Sequence, residues 1–151
     1  MKKNEKYINS LNSLLIMNAE VEKIYMELVD KVSDEDLKKF FSDKAMQRHE
    51  FTKDLKSKII SLGGSYDNKG RMHSELYKFW MNIRNFVMFN KSEESLMSEV
   101  RDMQGLTINR YNELLRMLGL PLSICKLLIK QRDRIQDAKD SIERHDLIAY
   151  A

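Results

Sequence analysis

The sequence predicts an all-α fold: four main helices in a bundle, with a long crossover between the second and third that contains an extra short helix. Three observations lead there. Only 5 glycines and 1 proline stand among 151 residues, while 10 methionines and many Leu, Lys, Glu and Asp suit long helices. Apolar residues recur three and four apart through four long segments, the spacing of an amphipathic helix. Between the second and third of these lies a stretch too long for a hairpin turn, with one shorter amphipathic segment inside it. The length fits a single domain, residues 1–151, able to bury a core without disulfides or metal staples.

Helix one is expected from about Glu5 to Lys31, with Ile8, Leu11, Leu15, Ile24 and Leu28 on its apolar stripe. That stripe is interrupted: stepping on from Leu15 reaches Asn18, then Glu22, then Tyr25. Ser33 followed by Asp34-Glu35-Asp36 reads as an N-cap with acids in the first turn of helix two, where the helix dipole favours negative charge. Helix two carries Phe40, Phe41, Ala45, Leu55 and Ile59 and stops at Gly63-Gly64; Arg48 and Thr52 break its stripe.

Residues 65–70 read as a loop, and Leu76, Phe79, Trp80, Ile83, Phe86 and Val87 mark the short helix, ending near Asn90. At about 1.5 Å per residue, a main helix of about 27 residues spans about 40 Å and this one, of about 16, about 24 Å. With its flanking loops it is long enough to return the chain to the opposite end of the bundle, which makes helices two and three parallel. Helix three follows from about Glu93 to Leu118 and stops at Gly119; Gln104 and Tyr111 repeat the seven-residue interval of Asn18 and Tyr25. After Leu120-Pro121-Leu122, helix four runs to about Leu147, its stripe broken by Gln131 and Arg134.

Charge narrows the classes of function. The net charge of +3 comes from 26 basic and 23 acidic residues mixed along the chain, so no basic block for nucleic acid is seen. No segment is apolar for long enough to span a membrane, and the N-terminus shows no signal-peptide pattern, which places the protein in the cytoplasm. The single Cys125 sits in an apolar context and reads as a buried thiol.

The Asn18–Tyr25 interval, Leu62-Gly63-Gly64, Tyr77-Lys78-Phe79-Trp80-Met81, Tyr111, Leu120-Pro121 and Lys130-Gln131, in this order, resemble the ferritin-like superfamily. Within it they are similar to an uncharacterised bacterial family of four-helix-bundle proteins. Metal-binding members of the superfamily place a carboxylate on each of two helices and Glu-x-x-His on each of the other two. The resemblance therefore implies a di-iron or di-manganese site, and by analogy a role in stress responses. This sequence departs from that pattern. Its three histidines follow Met46, Gly70 and Ile142 by three residues, so no Glu-x-x-His exists, and Asn18 and Gln104 stand where the first carboxylates belong. Amides are weak ligands for transition metals.

These residues yield two expectations of different class. The first is a non-catalytic bundle without cofactor, acting by binding or assembly, with a polar mid-layer of Asn18, Glu22, Tyr25, Arg48, Gln104, Tyr111, Gln131 and Arg134. There Arg48, with Arg134, compensates a buried Glu22 where a metal would otherwise supply the charge. The rival is an iron- or manganese-dependent oxidase or iron-handling protein with an atypical site of Glu22, His49 and Glu50. A small-ligand binding module in the polar layer is a third. Phe79, Trp80 and Phe86 exceed what one covering face needs, and two readings compete: burial against the bundle within the subunit, which comes first, and self-association into a homo-oligomer such as a dimer, close behind.

Overall fold

The computed structural model describes residues 2–66, 77–78, 81–82 and 93–143. Among the described residues there are no strands, and four long helices dominate: α1 (Lys2–Lys31), α2 (Glu35–Ser61), α3 (Glu93–Leu115) and α4 (Leu122–Glu143). One core joins them. Leu15, Val21, Ile24 and Leu28 of α1, Phe41, Leu55 and Ile59 of α2, Val100 and Met103 of α3, and Leu128 and Ile135 of α4 are all buried within it. Each such side chain contributes roughly 1.5–3 kcal/mol relative to exposure.

Side-chain contacts fix the direction of each helix. The α1–α2 connection is short, so those two run antiparallel. Tyr7 Oη, near the start of α1, lies 2.8 Å from the carbonyl of Gly119 and 3.2 Å from that of Leu118, beyond the end of α3. Further along, Asn18 meets Tyr111 and Tyr25 meets Gln104, so α3 descends as α1 ascends. Consequently α2 and α3 are parallel, and residues 62–92 must carry the chain from one end of the bundle to the other. In that connection Tyr77, Lys78, Met81 and Asn82 are helical, and Asn82 Nδ2 donates to Glu99 Oε2 on α3 at 3.1 Å. The rest of the short helix expected there lies outside the described residues, as do Phe79, Trp80 and Phe86.

Helix ends differ in detail from the sequence expectation. Asp34 rather than Ser33 caps α2: it has extended backbone geometry, and its Oδ1 accepts from the Leu37 amide at 3.0 Å. Both residue types cap well, and the turn geometry selects the second. Helix α3 ends at Leu115, three residues before the expected Leu118. Arg116 and Met117 donate to the carbonyls of Glu113 and Leu114, which tightens the last turn, and Leu118 is left 94 % exposed. Cys125 is only half-buried, with Sγ 3.7 Å from the Leu120 carbonyl. The described part of α4 ends at Glu143, so its expected continuation to Leu147 lies outside the described residues.

The C-terminus of α2 requires glycine twice, for different reasons. Gly63 has φ of 84° and donates to the Ile60 carbonyl, while Gly64 donates to that of Ile59, which is the Schellman arrangement. A Cβ on Gly64 would stand 2.7 Å from Ile8 Cδ1 of α1, so its lack of a side chain lets the helix end approach the start of the bundle. Asn4 Nδ2, reaching the Leu62 carbonyl at 3.4 Å, adds a polar tie at the same end. Gly63→Ala is expected to destabilise the protein by about 1–2 kcal/mol through the left-handed backbone alone, read as a lower urea midpoint at unchanged m-value.

Candidate functional site

At mid-height the apolar stripes of all four helices give way to polar side chains that are nevertheless buried: Asn18, Arg48, Gln104, Thr107 and Gln131, with the phenols of Tyr25 and Tyr111. Asn18 is held by its own helix, its Nδ2 donating to the Leu14 carbonyl one turn back at 2.8 Å. The second Nδ2 hydrogen goes to Tyr111 Oη at 2.9 Å. Its Oδ1 accepts from Arg48 Nη1 at 2.9 Å. Because a guanidinium only donates, this bond also decides which end of the amide faces α2.

From Asn18 the network spreads to every helix. Tyr111 Oη donates to Gln131 Oε1 at 2.6 Å, and Gln131 Nε2 donates to the Phe51 carbonyl at 3.2 Å, which links α3 to α4 and α4 to α2. Arg48 Nη2 donates to Thr107 Oγ1 at 3.2 Å, and the Thr107 hydroxyl donates to the Gln104 backbone carbonyl at 2.9 Å. Gln104 Nε2 lies 3.0 Å from Tyr25 Oη and so closes α3 onto α1.

The electrostatics centre on Arg48. It is 2 % exposed and makes no ion pair with any described residue; the phenols of Tyr25 and Tyr111 favour its charge, while the part-buried Lys44 feels its repulsion. Burial pulls the guanidinium below its ordinary value, and the two phenols oppose that pull. Conversely, burial pushes both tyrosines well above the usual phenol range. Arg48 partly offsets the push on each, aided at Tyr25 by bonds from Gln104 and Arg48 and at Tyr111 by the bond from Asn18. Near neutrality the layer is thus one positive charge among phenols, a hydroxyl and amides, none of them a base or a strong metal ligand.

Of the residues expected in this layer, Glu22 and Arg134 lie elsewhere. Glu22 sits on the flank of α1, where its Oε1 is 3.2 Å from His49 Nδ1; the two side chains are 30 % and 58 % exposed. The expected Glu22–Arg48 ion pair does not form. The cause is helical phase: the core position after Asn18 is taken by Val21, three residues on, and Glu22 falls one position past it. Arg134 is exposed for the same reason, since Ile135 takes the core position after Gln131. Thr107 was not foreseen. It is three residues after Gln104 and four before Tyr111, so the stripe that selected those two also passes through it.

The set Glu22, His49 and Glu50 is not brought together as a ligand cage: Glu50 Oε1 lies 3.7 Å from Lys53 Nζ on the outer face of α2. Among the described residues no three His, Cys, Asp or Glu side chains gather to hold a metal ion. The mid-layer donor set does not fit a di-metal centre either, because amides replace carboxylates and Arg48 would repel a cation at that position. No described helix is long and apolar enough to cross a membrane.

Residues 6–117 match the family described as Domain of unknown function (DUF2383). The match runs through α1, α2 and α3, with Asn18, Arg48, Gln104, Thr107 and Tyr111, and stops before α4. No curated protein matches the chain.

Two measurements follow from this geometry. Asn18→Leu takes the acceptor from a buried charged donor and is expected to cost about 1.5–3 kcal/mol; adding Arg48→Met should restore much of the loss, whereas Glu22→Gln and Arg48→Met should simply add. Urea unfolding of the single and double variants reads both cycles. The second concerns alkaline pH. The phenols titrate higher in the fold than their ordinary value of 10.0, so the unfolded chain releases protons first. Their stabilising contribution is complete below about pH 10 and falls as pH rises toward their folded values, by up to about 1.4 kcal/mol per pH unit for each. Tyr111→Phe should make the decline between about pH 9.5 and 11 shallower than in the parent chain.

Proposed function

The chain belongs to the family described as Domain of unknown function (DUF2383), and from its own residues we propose that it is a ferritin-like four-helix bundle acting by binding or assembly rather than by di-metal catalysis. One observation supports this reading: a guanidinium bonded to neutral acceptors is buried at mid-height, where the resemblance to metal-binding ferritin-like proteins would call for carboxylates. The parallel α2 and α3 and the long connection between them agree with one-crossover bundles of that type. The proposed setting is the cytoplasm, with the stress-related context implied by the resemblance.

Assembly finds support on the connection between α2 and α3. Tyr77 and Met81 are four residues apart, hence on one face of a helix, and are 54 % and 37 % exposed. The exposed Tyr77 and Met81 are the basis of the proposed contact between two copies. The rival reading, an iron or manganese oxidase, has the Glu22–His49 pair in its favour and needs further ligands to complete a site.

Both readings meet in one preparation. The chain is incubated anaerobically with Fe(II) or Mn(II), desalted and analysed for metal, and its mass is followed by sedimentation velocity. Substoichiometric metal is expected, together with a dimer that Met81→Glu converts to monomer. Two metals per chain, lost on Glu22→Gln, would establish the rival; a parent chain that sediments as a monomer at high concentration would remove assembly.

A further inference from the structure

The two ends of the bundle differ in exposed apolar surface. Where α1 starts, three elements meet. Tyr7 donates to the Gly119 carbonyl in the α3–α4 turn, and Gly64, past the end of α2, lies against Ile8. The turn there points its apolar side chains outward: Leu118 is 94 % exposed and Leu122, which opens α4, is 69 % exposed. Their exposure is built in rather than incidental. Tyr7 is itself buried and commits its hydroxyl to the turn, and Gly119 takes a φ of 76° that lets the chain reverse with the leucines outside.

Charge separates the two ends as well. Lys6, Arg116 and Lys126 are exposed close in sequence to the Tyr7–Gly119 contact and the turn. The acids at this end are Glu5 and Glu113, and Glu113 lies 3.4 Å from Arg110. At the opposite end, the α1–α2 connection and the start of α3 expose Asp34, Glu35, Asp36, Glu93 and Glu94 beside Lys31 and Lys39, while Val32, Leu37 and Leu96 are buried. A chain of nearly balanced charge, with 26 basic and 23 acidic residues, is therefore polarised along the bundle axis. Its basic end is the one with projecting leucines.

We propose that this end docks on an anionic lipid bilayer, with Leu118 and Leu122 entering the headgroup layer and Lys6, Arg116 and Lys126 facing the lipid phosphates. Projecting leucines need a hollow of matching shape on a protein partner, whereas a bilayer deforms around them. The flanking cations match the negative charge of the lipid surface. A second copy fits less well: two basic ends repel, and the described residues of the acidic end expose no large apolar side chain to receive the leucines. Nucleic acid would engage the cations and leave the leucines in water. The contact is peripheral and involves neither the mid-layer nor Tyr77 and Met81, so it stands whether or not the bundle self-associates or takes up metal.

The test is co-sedimentation of the full chain with vesicles of phosphatidylcholine alone and of phosphatidylcholine mixed with phosphatidylglycerol. The chain should pellet with the mixed vesicles, stay in solution with the neutral ones, and be released as salt rises. Leu118→Ser should lower the partition coefficient about tenfold, from the lost transfer of one leucine side chain. Lys126→Gln should lower it about fivefold, the effect of one cation near an anionic surface. Both positions are exposed, so the urea midpoint should not move. Met46→Ser removes a 67 % exposed apolar side chain from the middle of α2 and should bind like the parent. Equal binding to both vesicle types, or none to the mixed vesicles, would overturn the proposal, the latter even if the chain binds duplex DNA. Undiminished pelleting of Leu118→Ser, or an equal loss in Met46→Ser, would overturn it too.

Discussion

A single buried cation constrains this bundle more tightly than any apolar contact does. Removing a guanidinium from water costs several kcal/mol, and a nearby carboxylate is the usual compensation. Here the compensation comes from dipoles instead: an amide oxygen of α1 and a hydroxyl of α3, with phenols of α1 and α3 close by. Hydrogen bonds to a charged group are worth about 1.5–3 kcal/mol each, and they demand position as well as proximity. A slip of α1 by one turn would move Asn18 by about 5.4 Å and leave Arg48 Nη1 facing hydrocarbon. The leucines and isoleucines around it tolerate such a slip far better, since their attraction has no direction. Register is therefore specified at mid-height, and the apolar layers above and below supply the bulk of the free energy.

Two other levels hold the frame in which that layer works. At one end Tyr7 binds the carbonyls of the α3–α4 turn, Gly64 admits Ile8, and Asn4 reaches the end of α2. Toward the other end, Tyr25 stacks on Phe41 with ring centroids 6.0 Å apart, and Phe40 meets Phe41 edge-on. Tyr25 belongs to both the aromatic and the polar level, with its ring on Phe41 and its hydroxyl on Gln104. That double role couples the packing of the α1–α2 hairpin to the hydrogen bonds of α3.

How much of this was legible in the sequence depended on whether the helical period alone could decide. The seven-residue interval from Asn18 to Tyr25, and its repeat from Gln104 to Tyr111, marked polar groups that recur on one face. The break in the stripe of helix two at Arg48 marked the side chain that meets Asn18. Where a stripe can step by three or by four, the period is ambiguous. Val21 and Ile135 took the steps of three and four, respectively, that left Glu22 and Arg134 outside. Neutral Thr107 raised no alarm because a small hydroxyl in an apolar stripe is common. Helix ends were decided by local bonding that the residue types leave open, as at Asp34 and Leu115.

The choice of amides over acids in this layer has an electrostatic consequence that stability does not explain. An aspartate at the position of Asn18 would stand within hydrogen-bond distance of Arg48, neutralise it and form a buried pair of ordinary kind. An asparagine of the same shape keeps the geometry and leaves the charge. A residual positive field inside a closely packed core weakens the fold relative to a neutral pair, and burial already pulls the guanidinium below its ordinary value. Purely structural layers do better with no net charge. The field does, however, change what the bundle can hold at its centre: carboxylates there would attract cations, whereas a guanidinium flanked by amides repels them. Side chains that alter neither the topology nor the apolar stripes thus set the centre of this four-helix frame against cations.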